Sequence, residues 1–166
     1  MEMFQLVDAE GNPAGQATRE QCHGNPLLIH LVVHLHVIDQ RERLLLQKRA
    51  LTKDTNPGLW DTSVGGHVRA GEEIGDALRR EAQEELGIDA SRARFLYGYL
   101  YGNAFETEFA RCFLLTYAGK VVPDRDEIQE VHFFSFEEIA ALVGSGSLTP
   151  MFERELPMLR QRLEHR

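Results

Sequence analysis

One segment constrains this chain more than any other: an apolar stripe, running from Glu72 to Leu86, with acids set into it. Ile74, Ala77, Leu78, Ala82 and Leu86 recur at helical spacing. The spacing predicts a helix over 71–86 that ends at Gly87. Glu81 and Glu85 fall inside the same arc, with Glu84 at its edge, while Asp76, Arg79, Arg80 and Gln83 take the opposite face. Glutamates on a helix ordinarily form a solvated face with i,i+4 partners. That account fails for acids on the buried stripe. An inward carboxylate is costly unless it is paired or binds a cation, and acids within one turn repel each other. A divalent cation answers both problems. Mg²⁺ prefers carboxylate oxygens and keeps waters while bridging to phosphates. The preceding Gly65-Gly66 pair lets backbone approach a ligand closely.

The rest of the chain supplies a scaffold. Leu27 to Ile38 alternates, with Leu31, Val33, Leu35 and Val37 on one face and His30, His34 and His36 on the other. Strands are also predicted over 4–8, 43–49, 60–64, 95–101, 107–117 and 131–134, with a turn at 10–13 and a polar loop at 53–58. A short helix over 136–143 opens on Ser135, with Glu138 placed for a capping box. A terminal helix covers 151–166, with Pro157 as a kink point. Strands mixed with three helices predict a mixed sheet covered on both sides, in one domain spanning 1–166.

Composition excludes several classes. Apolar residues are 43% and charged residues 27% of 166, the balance of a globular protein. A net charge of -8 gives no basic surface for a nucleic acid polymer. No run is long enough to span a membrane, and Met1 to Ala9 lacks a signal-peptide core. Two cysteines, Cys22 and Cys112, make no disulfide framework. They are read as unreactive. A cytoplasmic chain, monomer or homodimer, is expected.

The helix region resembles the Nudix box. Gly66, Glu72, Arg80, Glu81, Ala82, Glu84, Glu85, Gly87 and Ile88 fill its positions in register, Ala82 being smaller than the usual aliphatic. The resemblance implies an α/β fold, the Nudix-type α/β/α sandwich around a mixed β-sheet. It implies Mg²⁺- or Mn²⁺-dependent hydrolysis of a small nucleoside diphosphate derivative. It also implies that Glu81, Glu84 and Glu85 hold the metal, and that Glu72 pairs with Arg80 to brace the unit around Gly66.

A second resemblance runs through Gln47-Lys48-Arg49, Lys53-Asp54, Pro57 to Trp60 and Gly66-His67. These are similar to isopentenyl-diphosphate isomerases and their hydrolase-like relatives, over residues 4–118. His23, His30, His67, Glu106 and Glu108 match a metal set of that group, which suits Zn²⁺ or Mn²⁺. The same side chains also fit a hydrogen-bonded polar pocket. Arg49 and Lys53 match residues that hold the substrate diphosphate; surface charge is the plain alternative. Gly65 stands where the isomerase has a catalytic cysteine, and the box is complete where the isomerase's own is degraded. Both departures favour hydrolysis over isomerisation. A non-catalytic nucleotide-binding module would be expected to carry a degraded box.

Other residues receive plainer readings. His34 and His36 are taken as structural or surface residues. Tyr97, Tyr99 and Tyr101 alternate along one strand, which fits pocket lining and strand packing alike. Trp60 is read as core packing. Glu127 and Glu130 precede a strand where related hydrolases place an extra base or ligand.

Overall fold

The central strand is β3, Ile29–Ile38, and every residue in it after Ile29 is buried. The computed structural model describes residues 1–166. In chain order β3 is preceded by β1 (Met3–Val7), β2 (Pro13–Thr18) and α1 (Arg19–Cys22). It is followed by β4 (Leu44–Arg49), β5 (Trp60–Asp61), β6 (Val64–His67), α2 (Ile74–Leu86) and β7 (Arg94–Gly102). Then come β8 (Thr107–Thr116), β9 (Ile128–Phe134), α3 (Phe136–Leu142) and α4 (Pro150–Glu164). β3 pairs in parallel with β8 along its length and antiparallel with β6. β7 joins β8, and β9 joins β4, both antiparallel. The sheet is therefore mixed.

Both sides of it are covered. Leu31, Val33, Leu35 and Val37 pack with Ala77, Leu78, Ala82 and Leu86 of α2. On the far side Leu44, Leu46 and Leu114 meet Ile139 of α3 and Phe152, Leu156 and Leu159 of α4. This is the expected α/β/α sandwich. Burying some ten large side chains on each face supplies ~1.5–3 kcal/mol apiece before chain entropy is subtracted. No helix is long and apolar enough to cross a membrane.

Several elements differ from expectation. The strand over 60–64 is two strands, and Gly65 and Gly66 lie inside the second. Between them Ser63 acts as a rung. Its hydroxyl accepts from the Val37 N–H at 2.9 Å and donates to the Leu45 carbonyl at 2.5 Å. That wedge holds β3 and β4 apart, so they pair only at Ile38 and Leu44. α2 begins at Ile74, later than predicted, because Gly71 takes a φ of 79° and Glu72 folds back to accept from the Arg69 N–H. β9 starts three residues early, placing Glu130 opposite Lys48. β2 and α1 are additional, which makes four helices rather than three. β2 is almost wholly exposed, so it lacks the alternation that marks a half-buried strand. α4 continues through Pro157. The Ser135–Glu138 capping box is present, with both bonds between 3.0 and 3.1 Å.

Candidate metal centre

α2 places its acids against β6. A Cβ on Gly66 would lie 2.1 Å from Glu81 Cδ, so only glycine lets this carboxylate reach the strand. Arg80 donates to both oxygens of Glu72, at 2.9 and 3.0 Å, and to the His67 carbonyl at 3.0 Å. It also donates to Glu81 Oε1 at 2.7 Å. Arg80 therefore bends inward from the face assigned to it by spacing; its long stem reaches what its Cα position does not. Gln47 donates to Glu85 at 2.7 Å. Burial and then the Glu81 charge push the Glu85 carboxyl well above its usual range. Burial also raises Glu81, against the pull of Arg80. Two adjoining carboxylates held this way have the chemistry to take a cation, because a divalent charge would remove the penalty both carry. Glu84 is different: its side chain is 55% exposed, with Arg80 3.5 Å away.

A second cluster sits on the same cavity, which has a volume of about 780 Å³ and is lined mostly by polar and charged side chains. His23 follows the short α1, His30 lies on β3, His67 ends β6, and Glu106 and Glu108 flank the start of β8. Ligand atoms of His23, His30 and His67 lie within 4.8 Å of one another, as do those of His30, Glu106 and Glu108. His30 Nε2 is 3.6 Å from Glu106 and 3.9 Å from Glu108. Both ring nitrogens of fully buried His30 lack a hydrogen-bond partner, and Glu106 Oε2 faces His23 Nε2 at 3.1 Å without hydrogen-bond geometry. Buried polar atoms are rarely left so. Burial, then His23, hold His30 down at about 4, and burial, then His30, hold His67 well below its usual range. Neutral imidazoles beside carboxylates are a donor set for Zn²⁺ or Mn²⁺. Burial, then Glu106, push Glu108 up to about 8. Phe4 stacks on His67 with centroids 4.1 Å apart and orients the ring.

Arg49 and Lys53 also line this cavity. Arg49 donates to the Thr55 carbonyl at 2.9 Å and faces Asp61 at 3.5 Å. Lys53 is paired with Glu127, which also borders the cavity, while Glu130 lies off it beside Lys48. Trp60 packs edge-on against Phe134. Gly65 is not sterically required: a Cβ there would meet His34 Cδ2 and Thr62 Cγ2 only at 3.6 Å.

Sequence reasoning missed one group. His34 and His36 are buried, and both bond to Glu155 of α4, which is fully buried. Tyr97 and Tyr99 donate to the same carboxylate. A signal was present: Glu155 shares the arc of Phe152, Leu156 and Leu159, as Glu81 and Glu85 share theirs. Tyr101, by contrast, reaches the cavity.

Comparison with known proteins identifies the family. A family model described as the NUDIX domain matches residues 28–155. An isopentenyl-diphosphate Delta-isomerase of Cutibacterium acnes is 35% identical, covering 93% of this chain and 89% of its own. One from Brevibacterium linens is 33% identical, covering 88% and 84%. Among solved structures, a Deinococcus radiodurans protein superposes with a TM-score of 0.76 at 24% identity, covering 89% of this chain and 92% of its own. A MutT protein from Methanosarcina mazei Go1 gives 0.70 at 22%, covering 85% and 96%.

Proposed function

The chain belongs to the Nudix family, in its isopentenyl-diphosphate isomerase-like branch, and from that premise we propose that it is a metal-dependent hydrolase. Its substrate is a small metabolite containing a diphosphate linkage, of the nucleoside diphosphate class. The observation that carries this reading is the pair Glu81 and Glu85, half-buried side by side against a glycine strand at the wall of a polar cavity.

A divalent cation there would supply positive charge to the diphosphate and acidify a bound water. The chain's own residues do the remaining work. Glu81 and Glu85, with Glu84 at the rim, would hold the cation. Arg80 fixes Glu81 and braces the turn through Glu72, while Gln47 orients Glu85. Arg49 and Lys53 stand ready for phosphate oxygens, since arginine binds them with paired N–H groups. Lys53 would exchange Glu127 for substrate. His23, His30, His67, Glu106 and Glu108 would hold a second cation, which their unpartnered buried atoms support.

A second reading is favoured by the relatives, several of which bear the name isopentenyl-diphosphate Delta-isomerase. Isomerisation moves a proton off one carbon and onto another, which needs two carriers. Gly65 offers no side chain for that work. A panel of ADP, CDP, ADP-ribose, UDP-glucose, coenzyme A and isopentenyl diphosphate, with Mg²⁺ or Mn²⁺ and products read by mass, decides between the two. Release of phosphate or a monophosphate supports hydrolysis. Recovery of isopentenyl diphosphate's isomer with its diphosphate intact, and no hydrolysis of the others, overturns it.

A further inference from the structure

Glu155 accepts four hydrogen bonds on two oxygens. They come from His34 Nδ1 at 2.7 Å, from His36 Nε2, and from the Tyr97 and Tyr99 hydroxyls at 2.8 Å each. An ionised carboxylate only accepts, so the shared proton sits on His34 Nδ1. Nε2 is then the free nitrogen of that ring. His34 borders the cavity, and Nε2 lies 4.0 Å from where a Gly65 Cβ would be. The amide of the same glycine faces the Glu85 carboxylate. A free imidazole nitrogen and a metal-holding acid thus flank one residue that has no side chain to separate them. The acids of α2 are otherwise engaged: Glu85 with Gln47, Glu81 with Arg80, and Glu84 out at the rim.

We propose that His34, oriented by Glu155, is the general base that takes the proton of the attacking water. The assignment rests on the hydrolytic reading above. In the step, water oxygen forms a bond to phosphorus and its proton passes to Nε2. The bond from phosphorus to the bridging oxygen breaks, and that oxygen leaves with the electron pair as a phosphate. The imidazolium then returns its proton to solvent. Glu155 does not react. It keeps Nε2 as the acceptor and stabilises the cation that forms. Burial opposes charge on His34, but Glu155, then Asp61 of β5 and Glu108 of β8, hold it above its ordinary range. Cys112 of β8, Tyr99 of β7 and His36 complete its surroundings.

His36 provides the internal control. It shares the same carboxylate, but it is fully enclosed and its Nδ1 meets the Thr62 hydroxyl at 3.1 Å. The test measures kcat against pH with Mg²⁺ for the wild type, His34→Gln, His36→Gln and Glu155→Gln, using the best nucleoside diphosphate derivative of the panel. Thermal melts are run beside the assays. The wild type should show a limb that rises with pH. His34→Gln should lower kcat ~10²-fold and flatten that limb, with KM little changed. Glu155→Gln should move the limb to lower pH, because the imidazolium loses its counter-charge. His36→Gln should keep the limb even where it lowers the melting temperature. If His34→Gln and His36→Gln lose stability alike and both keep the wild-type limb, the pair is structural and the assignment is wrong. Should His34→Gln fail to fold, an unmoved limb in Glu155→Gln has the same meaning. If the wild type hydrolyses no member of the panel, the hydrolytic reading itself fails, and this assignment with it.

Discussion

Gly65 and Gly66 are neighbours in β6 with opposite constraints. At Gly66 a methyl group would overlap Glu81; at Gly65 it would make ordinary van der Waals contacts. Gly66→Ala should therefore displace Glu81 and weaken Mg²⁺ binding at least ~10-fold, since a ligand moved from its place costs more than ~1.4 kcal/mol. Gly65→Ala should bind Mg²⁺ as the wild type does and melt no lower, a strand alanine having less freedom to lose than glycine. Isothermal titration and melting curves check both. At the same scale, Glu81→Gln and Glu85→Gln should each lower turnover at least ~10²-fold with the fold intact, if metal charge is central. The raised carboxyls of Glu81 and Glu85 add a sign. Both favour the protonated form in the folded protein, so Mg²⁺ must displace protons. Mg²⁺ affinity should keep rising as pH climbs above the ordinary carboxyl value of 4.5, with protons released on titration. Affinity independent of pH would contradict the cation assignment.

At the scale of elements, α2 and α4 pose the same problem and answer it differently. Each turns an acid towards the core from an apolar arc. α2 brings two acids together beside a cavity; α4 brings one to four donors. Removing Glu155 leaves two histidines and two tyrosines short of a partner, so Glu155→Ala should cost ~3–5 kcal/mol, read by urea denaturation. The pairing also has a pH window. Burial works to raise Glu155, but His36 and His34 outweigh it and hold it well below 4.5. Its contribution is full above 4.5 and is lost as pH falls through that depressed value. His34 is held above 6.5, so its contribution is full below 6.5 and is lost as pH rises through the folded value. The stability gap between the wild type and Glu155→Gln should be widest between pH 4.5 and 6.5. A gap that does not vary with pH would show that Glu155 packs without its charge mattering.

Across the whole molecule, the parallel pairing of β3 with β8 does most to assemble the cavity. It sets His30 opposite Glu108 and brings Glu106 within reach, while β6 on the other edge of β3 delivers Gly66 and His67. α2 on one face then brings its acids to this opening, while α4 on the other sets the buried Glu155 behind His34, which borders it. Because the proposed cation sites would form only in the folded chain, metal should stabilise all of it. Saturating Mg²⁺ at about a hundred times its Kd should add about 2.7 kcal/mol to unfolding, read from denaturation with and without metal. No shift would mean that the acids do not bind the ion in the native state.

Local order needed only the chain itself. The stripe of α2 with its acids, the alternation of β3, the Ser135 cap and the stop at Gly87 are periodic or adjacent patterns, and each acts within a few residues. The complete box from Gly66 to Ile88 carried the family with it. What faces what was decided elsewhere. His34 and Glu155 stand 121 residues apart, and periodicity says only that each points off its own element. Whether His34 met solvent, an apolar side chain or a carboxylate depended on where α4 docked. The exposed strand β2 and the Ser63 wedge escaped for the same reason, since neither leaves a repeat in sequence. Spacing along an element determines which side chains leave it together; only the packing of one element on another determines what they meet.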